Sequence, residues 1–177
     1  ELSKPVRARG VAHLVSEPAV GGSGHNPNEL DRFFRRFVMI PRLRAETKAE
    51  ALDELVEVLY QKDLVADPAA TLRSISDREA ILSTGLEHGI AVPHIRTNDV
   101  TTLVGVVALV PDGLPDYTTL DDSRVRIIVM TISPTHTHSP HLRLIAHIAQ
   151  VLDAAGRERI LAARTEQEMR NVLLGQN

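Results

Sequence analysis

The sequence predicts an α/β domain, a mixed β-sheet of roughly four to six strands with helices packed on both faces. Three observations carry that expectation. Val125, Ile127, Ile128, Val129 and Met130 form a near-continuous apolar run, as in a strand covered on both faces. Thr102 to Val110 is a second run rich in Val and Leu. Around these runs, capped helical patterns alternate with strand patterns, without strict βαβ regularity.

The elements follow in order. Residues 1–35 differ from the rest and are expected to be an N-terminal extension or linker ahead of one domain over 36–177. Glu1 to Val20 lacks sustained periodicity and carries Lys4, Arg7 and Arg9. Gly21-Gly22-Ser23-Gly24-His25-Asn26-Pro27-Asn28 is linker-like. The chain opens on Glu1 rather than Met, as a processed chain or a piece of a longer one would. Phe37 to Ile40 reads as a first strand. Thr47 to Glu50 has capping-box form, and Leu52, Leu55, Val56 and Leu59 follow at helical spacing. A helix over about Lys48 to Lys62 results. Asp67-Pro68 supplies an N-cap and a proline at the first helical position. It starts a second helix to about Leu82, with Leu72, Ile75 and Leu82 on its buried face.

The apolar run Gly89-Ile90-Ala91-Val92 then ends on Pro93-His94, which places an imidazole at the mouth of a strand. Between the two long strands, Pro111 to Asp116 is turn chemistry. Ser139-Pro140 begins a third helix, with Leu142, Ile145, Ala149 and Leu152 inward and Gly156 closing it. Two short helices finish the chain, about Arg157 to Ala163 and, behind the capping box of Thr165 and Glu168, about Glu166 to Leu174.

Composition narrows the function classes. The chain has 177 residues, enough for one domain with a core. It has no Trp, three Phe and two Tyr, so the core must be aliphatic and stacking platforms for nucleic-acid bases are scarce. A net charge of −3 gives no basic footprint for a phosphate backbone. No nucleic-acid partner is expected. The absence of Cys excludes disulfides and thiol chemistry and fits a reducing cytoplasm. No apolar run is long enough to cross a bilayer, and no signal peptide is visible. The expected location is cytoplasmic, free or as the soluble domain of a larger or membrane-associated protein.

His94 is the candidate nucleophile. A neutral ring nitrogen is a good nucleophile near pH 7, and a phosphorylated imidazole remains a good leaving group. One nitrogen must be unprotonated, while the other donates a hydrogen bond that fixes the tautomer; the sequence leaves open which is which. The plainer reading is a histidine that merely ends a strand. His141, two residues into the helix after Ser139, sits where free N–H groups and the helix dipole favour anions. It either supports a phosphoryl group on His94 or faces water. Arg78 either offsets phosphoryl charge or forms a surface ion pair. Ser83 and Thr84 either donate hydrogen bonds to the phosphoryl or shape their loop. Glu79 falls on a buried helix face and needs a partner there, which points to an ion pair or hydrogen bond rather than catalysis. His136, His138 and His141 form a His-x-His-x-x-His pattern open to zinc or copper. No carboxylate or thiol lies nearby in sequence to complete a metal site, and none is expected.

Taken together, Arg78-Glu79, Ser83-Thr84-Gly85 and Gly89-Ile90-Ala91-Val92-Pro93-His94 resemble the active-site signature of enzyme IIA domains of the bacterial sugar phosphotransferase system. The match is to the fructose/mannitol class (type 2), which includes nitrogen-regulatory IIA proteins. The likeness runs from Phe37 to about Leu174. It includes His141-Leu142 at a helix start, Asp121 at a matching acidic position, and the closing Thr165 to Met169 segment. Ile95 departs from it, since a small residue commonly follows the histidine; the His-rich loop before the third helix departs as well.

The resemblance implies the enzyme IIA fold and a phosphocarrier without cofactor or metal. Such a carrier accepts a phosphoryl group on His94 from an HPr-type phosphocarrier protein and passes it to a IIB domain. The alternative it implies is a regulatory, nitrogen-type module, fused to a transporter or regulator, that controls a partner through its phosphorylation state. A metal-binding protein built on the His136 loop is a third reading, from a different class. No sugar, and no oligomeric state, follows from the sequence.

Overall fold

The computed structural model describes residues 27–136 and 139–176. Among the described residues, five strands form one mixed sheet. β1 (Phe37–Ile40) pairs in parallel with β4 (Val104–Leu114), and β4 pairs antiparallel with β5 (Val125–Pro134). On its other edge β5 pairs in parallel with β2 (Ile90–Ala91) and β3 (His94–Thr97). β2 and β3 lie along one line, with Ala91 opposite Ile128 and His94 opposite Thr131. Val92 and Pro93 interrupt that line, because proline has no N–H for the ladder.

Alternation along the strands splits the core in two. Val106, Ala108 and Val110 of β4 join Ile128, Met130 and Ile132 of β5 on one face. Two helices cover them, α2 (Lys48–Gln61) with Leu52, Leu55 and Leu59, and α3 (Pro68–Ile81) with Ile75. Val107, Leu109, Ile127 and Val129 face the other way. There they meet α1 (Pro27–Phe34), α4 (Ser139–Val151), α5 (Ala154–Ala162) and α6 (Glu166–Leu173). Helices therefore cover both faces of a mixed sheet, as the sequence predicts.

The caps expected at Thr47, Asp67 and Thr165 form. Thr47 accepts from the Glu50 N–H at 3.2 Å, and Asp67 from the Ala70 N–H at 2.9 Å, with Pro68 at the first helical position. Thr165 and Glu168 complete a reciprocal capping box.

Several expectations shift. α1 lies within residues read as linker, and its Phe34 is fully buried, edge-on to Phe37 with ring centroids 5.6 Å apart. β4 continues through Leu114 after an irregularity beyond Leu109, so Pro111 to Gly113 belong to the strand rather than to a turn. α3 ends at Ile81, and Leu82 is extended and exposed instead of buried. On α4, Leu142 and Ala149 are exposed, while Leu144, His147, Ile148 and Leu152 are buried. The helix carries two interleaved apolar stripes. The buried one is the stripe that also lets His141 reach Thr131 and His147 reach the Leu173 carbonyl. Gly156 does not close α4; it lies inside α5, where its N–H caps onto Asp153 at 2.8 Å.

Gly105 of β4 sits under the ring of Phe37. A Cβ there would lie 2.4 Å from the Met130 carbonyl oxygen and 2.5 Å from the Phe37 ring. Neither a ladder carbonyl nor a buried ring can move away cheaply. Gly105→Ala is therefore expected to cost about 2 kcal/mol, read as a lower urea midpoint at unchanged slope.

Candidate active site

His94 opens β3 just beyond the proline break, and its surroundings are held from three sides. The Val92 N–H donates to the Thr84 carbonyl at 3.1 Å, and the Thr131 N–H donates to the Pro93 carbonyl at 3.0 Å. The Val92 carbonyl, outside the ladder, lies 3.0 Å from His94 Nδ1. A carbonyl oxygen only accepts, so Nδ1 carries the proton and donates it. Nε2 is left as the nitrogen with the free lone pair. The ring is half-buried, so Nε2 is both oriented and reachable.

His141 comes from the first turn of α4. Its ring centroid lies 4.8 Å from that of His94, with 32° between the planes. Its Nδ1 is 3.1 Å from the hydroxyl of Thr131, the residue in register with His94. Burial pushes the His141 pKa below the usual 6.5, and the neighbouring His94 and Arg96 push it further. His141 is thus the neutral imidazole at pH 7. The unfolded chain takes up this proton more readily than the folded one. Its contribution to stability is therefore complete above pH 6.5 and is lost as pH falls through the lowered folded value. In urea titrations between roughly pH 7.5 and 5, wild type is expected to lose more stability on acidification than His141→Gln. Parallel profiles would exclude this role.

Beneath the site lies a buried polar network. The Glu79 carboxylate, 2% exposed, pairs with Lys48 Nζ at 2.8 Å. It also accepts from the Thr84 hydroxyl and, at 3.3 Å, from the Thr84 N–H. The Thr84 hydroxyl is 3.1 Å from the Tyr117 hydroxyl, and the Lys48 ammonium lies 4.4 Å from the centre of the Tyr117 ring. Burial, opposed by the Thr84 hydrogen bond and reinforced by the Glu79 charge, pushes the Tyr117 phenol well above its usual range. The Asp116 carboxylate accepts from the Lys48 N–H at 2.9 Å with both oxygens. The network joins α2, α3 and the loop after β4 to Thr84, whose carbonyl holds Val92.

The other sequence-derived candidates are distributed around this centre. The structure brings His94 and His141 together. Arg78 Nη1 donates to the Leu82 carbonyl at 2.9 Å, at the end of its own helix. The Ser83 hydroxyl donates to the Thr118 carbonyl at 2.6 Å and accepts from the Gly85 N–H at 3.2 Å, tying two loops together. Thr84 is engaged with Glu79 and Tyr117, so the hydroxyls of Ser83 and Thr84 both serve the loop framework. Arg96 donates to the Thr135 carbonyl. Asp121 caps the turn before β2, accepting from the His88 N–H at 2.9 Å and the Ser123 hydroxyl at 2.6 Å. The Ser123 hydroxyl first, then the His88 N–H, holds its carboxyl well below the usual range. Ile95 is buried in the core beneath α2 and α3. His138 lies outside the described residues, and His141 turns its Nδ1 to Thr131 rather than to His136. Thr131, Lys48 and Tyr117 were not among the candidates. The available signals were a hydroxyl at the end of an apolar strand and one of only two tyrosines.

Fold and site together define a small α/β domain that presents an oriented imidazole beside a second one at a helix start. A solved structure of the nitrogen regulatory protein IIA-Ntr from Neisseria meningitidis matches with a TM-score of 0.72 at 20% identity, over 78% of this chain and 97% of that one. The enzyme IIA chain of the Escherichia coli mannitol IIA–phosphorylated IIB complex matches with a TM-score of 0.65 at 24% identity, over 78% and 94%. In sequence, the fructose-specific EIIA component of Haloferax volcanii is 27% identical over 128 residues, 72% of this chain and 82% of that protein. The family model described as "Phosphoenolpyruvate-dependent sugar phosphotransferase system, EIIA 2" matches residues 33–175, and the chain belongs to that family. Among the described residues, no helix is long and apolar enough to cross a membrane.

Proposed function

We propose that this chain is a histidine phosphocarrier of the phosphoenolpyruvate-dependent system, with His94 Nε2 as the acceptor. The observation that carries this reading is the 3.0 Å contact from His94 Nδ1 to the Val92 carbonyl. It fixes the tautomer in which Nε2 attacks. The Nε2–P bond forms as the N–P bond of an incoming phosphohistidine breaks, and the departing nitrogen keeps the electron pair. In the onward step a nucleophile of the recipient bonds to phosphorus as the Nε2–P bond breaks, and Nε2 recovers its electron pair. No proton need move in either step, because Nδ1 stays protonated throughout.

His141, with Nδ1 taken by Thr131, has Nε2 left to donate to a phosphoryl oxygen. Arg78, which also holds the Leu82 carbonyl, is the guanidinium assigned to offset phosphoryl charge. Catalysis then rests on positioning and fixed donors rather than on covalent chemistry by further groups. An HPr-type phosphocarrier is the donor and a IIB domain the recipient; the similarity to the mannitol enzyme IIA in complex with phosphorylated IIB supports the latter. The unit responsible is the folded domain that includes α1, whose Phe34 is part of the core, and that the family model matches over residues 33–175. The likeness to a nitrogen regulatory protein supports a second reading, in which the same phosphorylated His94 acts as a signal to a regulated target protein.

The test is intact mass after incubation with phosphoenolpyruvate, enzyme I and HPr. One acid-labile phosphoryl group per chain is expected, together with its loss on adding a IIB domain. No uptake would sink the carrier reading. Uptake that no IIB domain discharges would favour the signalling one.

A further inference from the structure

A second charged site lies at the opposite end of the sheet from His94. β5 starts at Val125 and reaches Thr131, in register with His94, six residues on, so the two places are about 20 Å apart along the strand. At the Val125 end, a cavity of about 550 Å3 opens between the segment after β1 and the β4–β5 connection. Arg42, Arg44 and Arg124 line it, with Glu46 and Asp112 as the only acidic residues of the lining. Leu43, Val110 and Pro111 are among its apolar residues. A neighbouring cavity of about 310 Å3 shares Arg42 and Pro111 and adds Arg126 and Arg164, with no acidic residue. Five arginines therefore face two carboxylates, on a chain whose net charge is −3.

Arg42, Arg44 and Arg124 are free. Among the described residues, none of the three side chains makes a hydrogen bond or an ion pair. Their placement is nonetheless built. The Leu43 N–H, between Arg42 and Arg44, donates to the Leu109 carbonyl at 2.8 Å and pins that segment to β4. Arg126 Nε donates to the Pro111 carbonyl at 3.2 Å. Gly113, at φ +71°, lets the Arg124 stem lie against the backbone, since a Cβ there would come within 2.8 Å of Arg124 Cβ. Guanidinium groups gathered without carboxylate partners repel one another, and the chemistry that relieves this is a multiply charged phosphate. The volume falls within the roughly 300–1,000 Å3 typical of small-ligand sites.

We infer that this arginine-lined cavity binds a small organic di- or triphosphate, at a site separate from the phosphoryl-carrying histidine. The apolar wall of Ala45, Pro111 and Pro115, the solvent-facing apolar part of the lining, takes the organic part, and Arg42, Arg44 and Arg124 take the phosphates. The site does not depend on His94 being the phosphoryl acceptor, so either conclusion can fail without the other.

The experiment is calorimetric titration of the full chain with inorganic pyrophosphate and with ATP, at roughly 0.15 M salt to screen diffuse attraction. Saturable one-to-one binding is expected. The double variant Arg44→Ala/Arg124→Ala should weaken it by about tenfold or more for each guanidinium removed. Arg36→Ala/Arg73→Ala removes the same charge outside the cavity and should leave it unchanged. These side chains are exposed, so all variants should fold, which a thermal melt confirms. Tighter binding of ATP than of pyrophosphate would add the apolar wall to the contacts. Absence of saturable binding by either probe, equal weakening by the control pair, or binding that survives Arg44→Ala/Arg124→Ala would each overturn the site.

Discussion

His94→Gln is expected to take up no phosphoryl group under conditions that fully charge the wild-type chain. Removal of the attacking nitrogen leaves no group that forms a transferable N–P bond at this position, and the loss of rate should be on the order of ten-thousandfold or more. Glutamine is the informative replacement. It is neutral, half-buried positions tolerate it, its amide fills the place of Nε2 without a nucleophilic lone pair, and the loop keeps its Val92 N–H and Pro93 carbonyl hydrogen bonds. The loop should therefore keep its shape, which an unchanged melting temperature would show. His141 is a near neighbour with its own Nδ1 tied to Thr131, and it should not take over. Peptide mapping checks this directly. A phosphoryl group found on His141 or His88 in the variant would overturn the assignment of Nε2 of His94.

Much of this arrangement is legible in the sequence, and the reasons for the rest are physical. The paired strands announce themselves because both faces are covered, which forces apolar residues at consecutive positions such as Ile127 to Met130. The Pro93-His94 pair can be placed because proline ends a ladder wherever it falls. The nucleophilic nitrogen cannot be chosen from sequence, since it depends on where the Val92 carbonyl points once Pro93 has broken the strand. Glu79 shows how far local reasoning goes. Its position on a buried helix face demands a partner, but nothing local says that the partner is Lys48 at the start of another helix. On α4 the expected inward face holds for Ile145 and Leu152 but not for Leu142 and Ala149, because that stripe is as regular as the one of Leu144 and Ile148. Only the long-range contacts of His141 and His147 distinguish them. α1 is hidden in the sequence because the run of glycine, asparagine and proline extends into its first turn, through Pro27 and Asn28.

The second large effect is on stability, at Glu79. Glu79→Ala removes the acceptor for Lys48, for the Thr84 hydroxyl and for the Thr84 N–H at once. Breaking a buried pair by deleting one partner is more harmful than never having had it, because the remaining polar groups stay desolvated. Lys48 keeps a path to water, since its side chain is 21% exposed. Thr84 does not, because it is buried beneath the loop. The expected cost is therefore about 3 kcal/mol, or a melting temperature lower by roughly 6–12 °C. Lys48→Met should cost a comparable amount by leaving the carboxylate with Thr84 alone. The double variant Lys48→Met/Glu79→Leu should cost clearly less than the sum, since it removes both charges together. The same change should slow phosphoryl transfer, because the Thr84 carbonyl that holds Val92 loses its anchor. A Glu79→Ala loss below about 1 kcal/mol, within the range of an exposed pair, would show that the network contributes little, and additive single effects would show that Lys48 and Glu79 act independently.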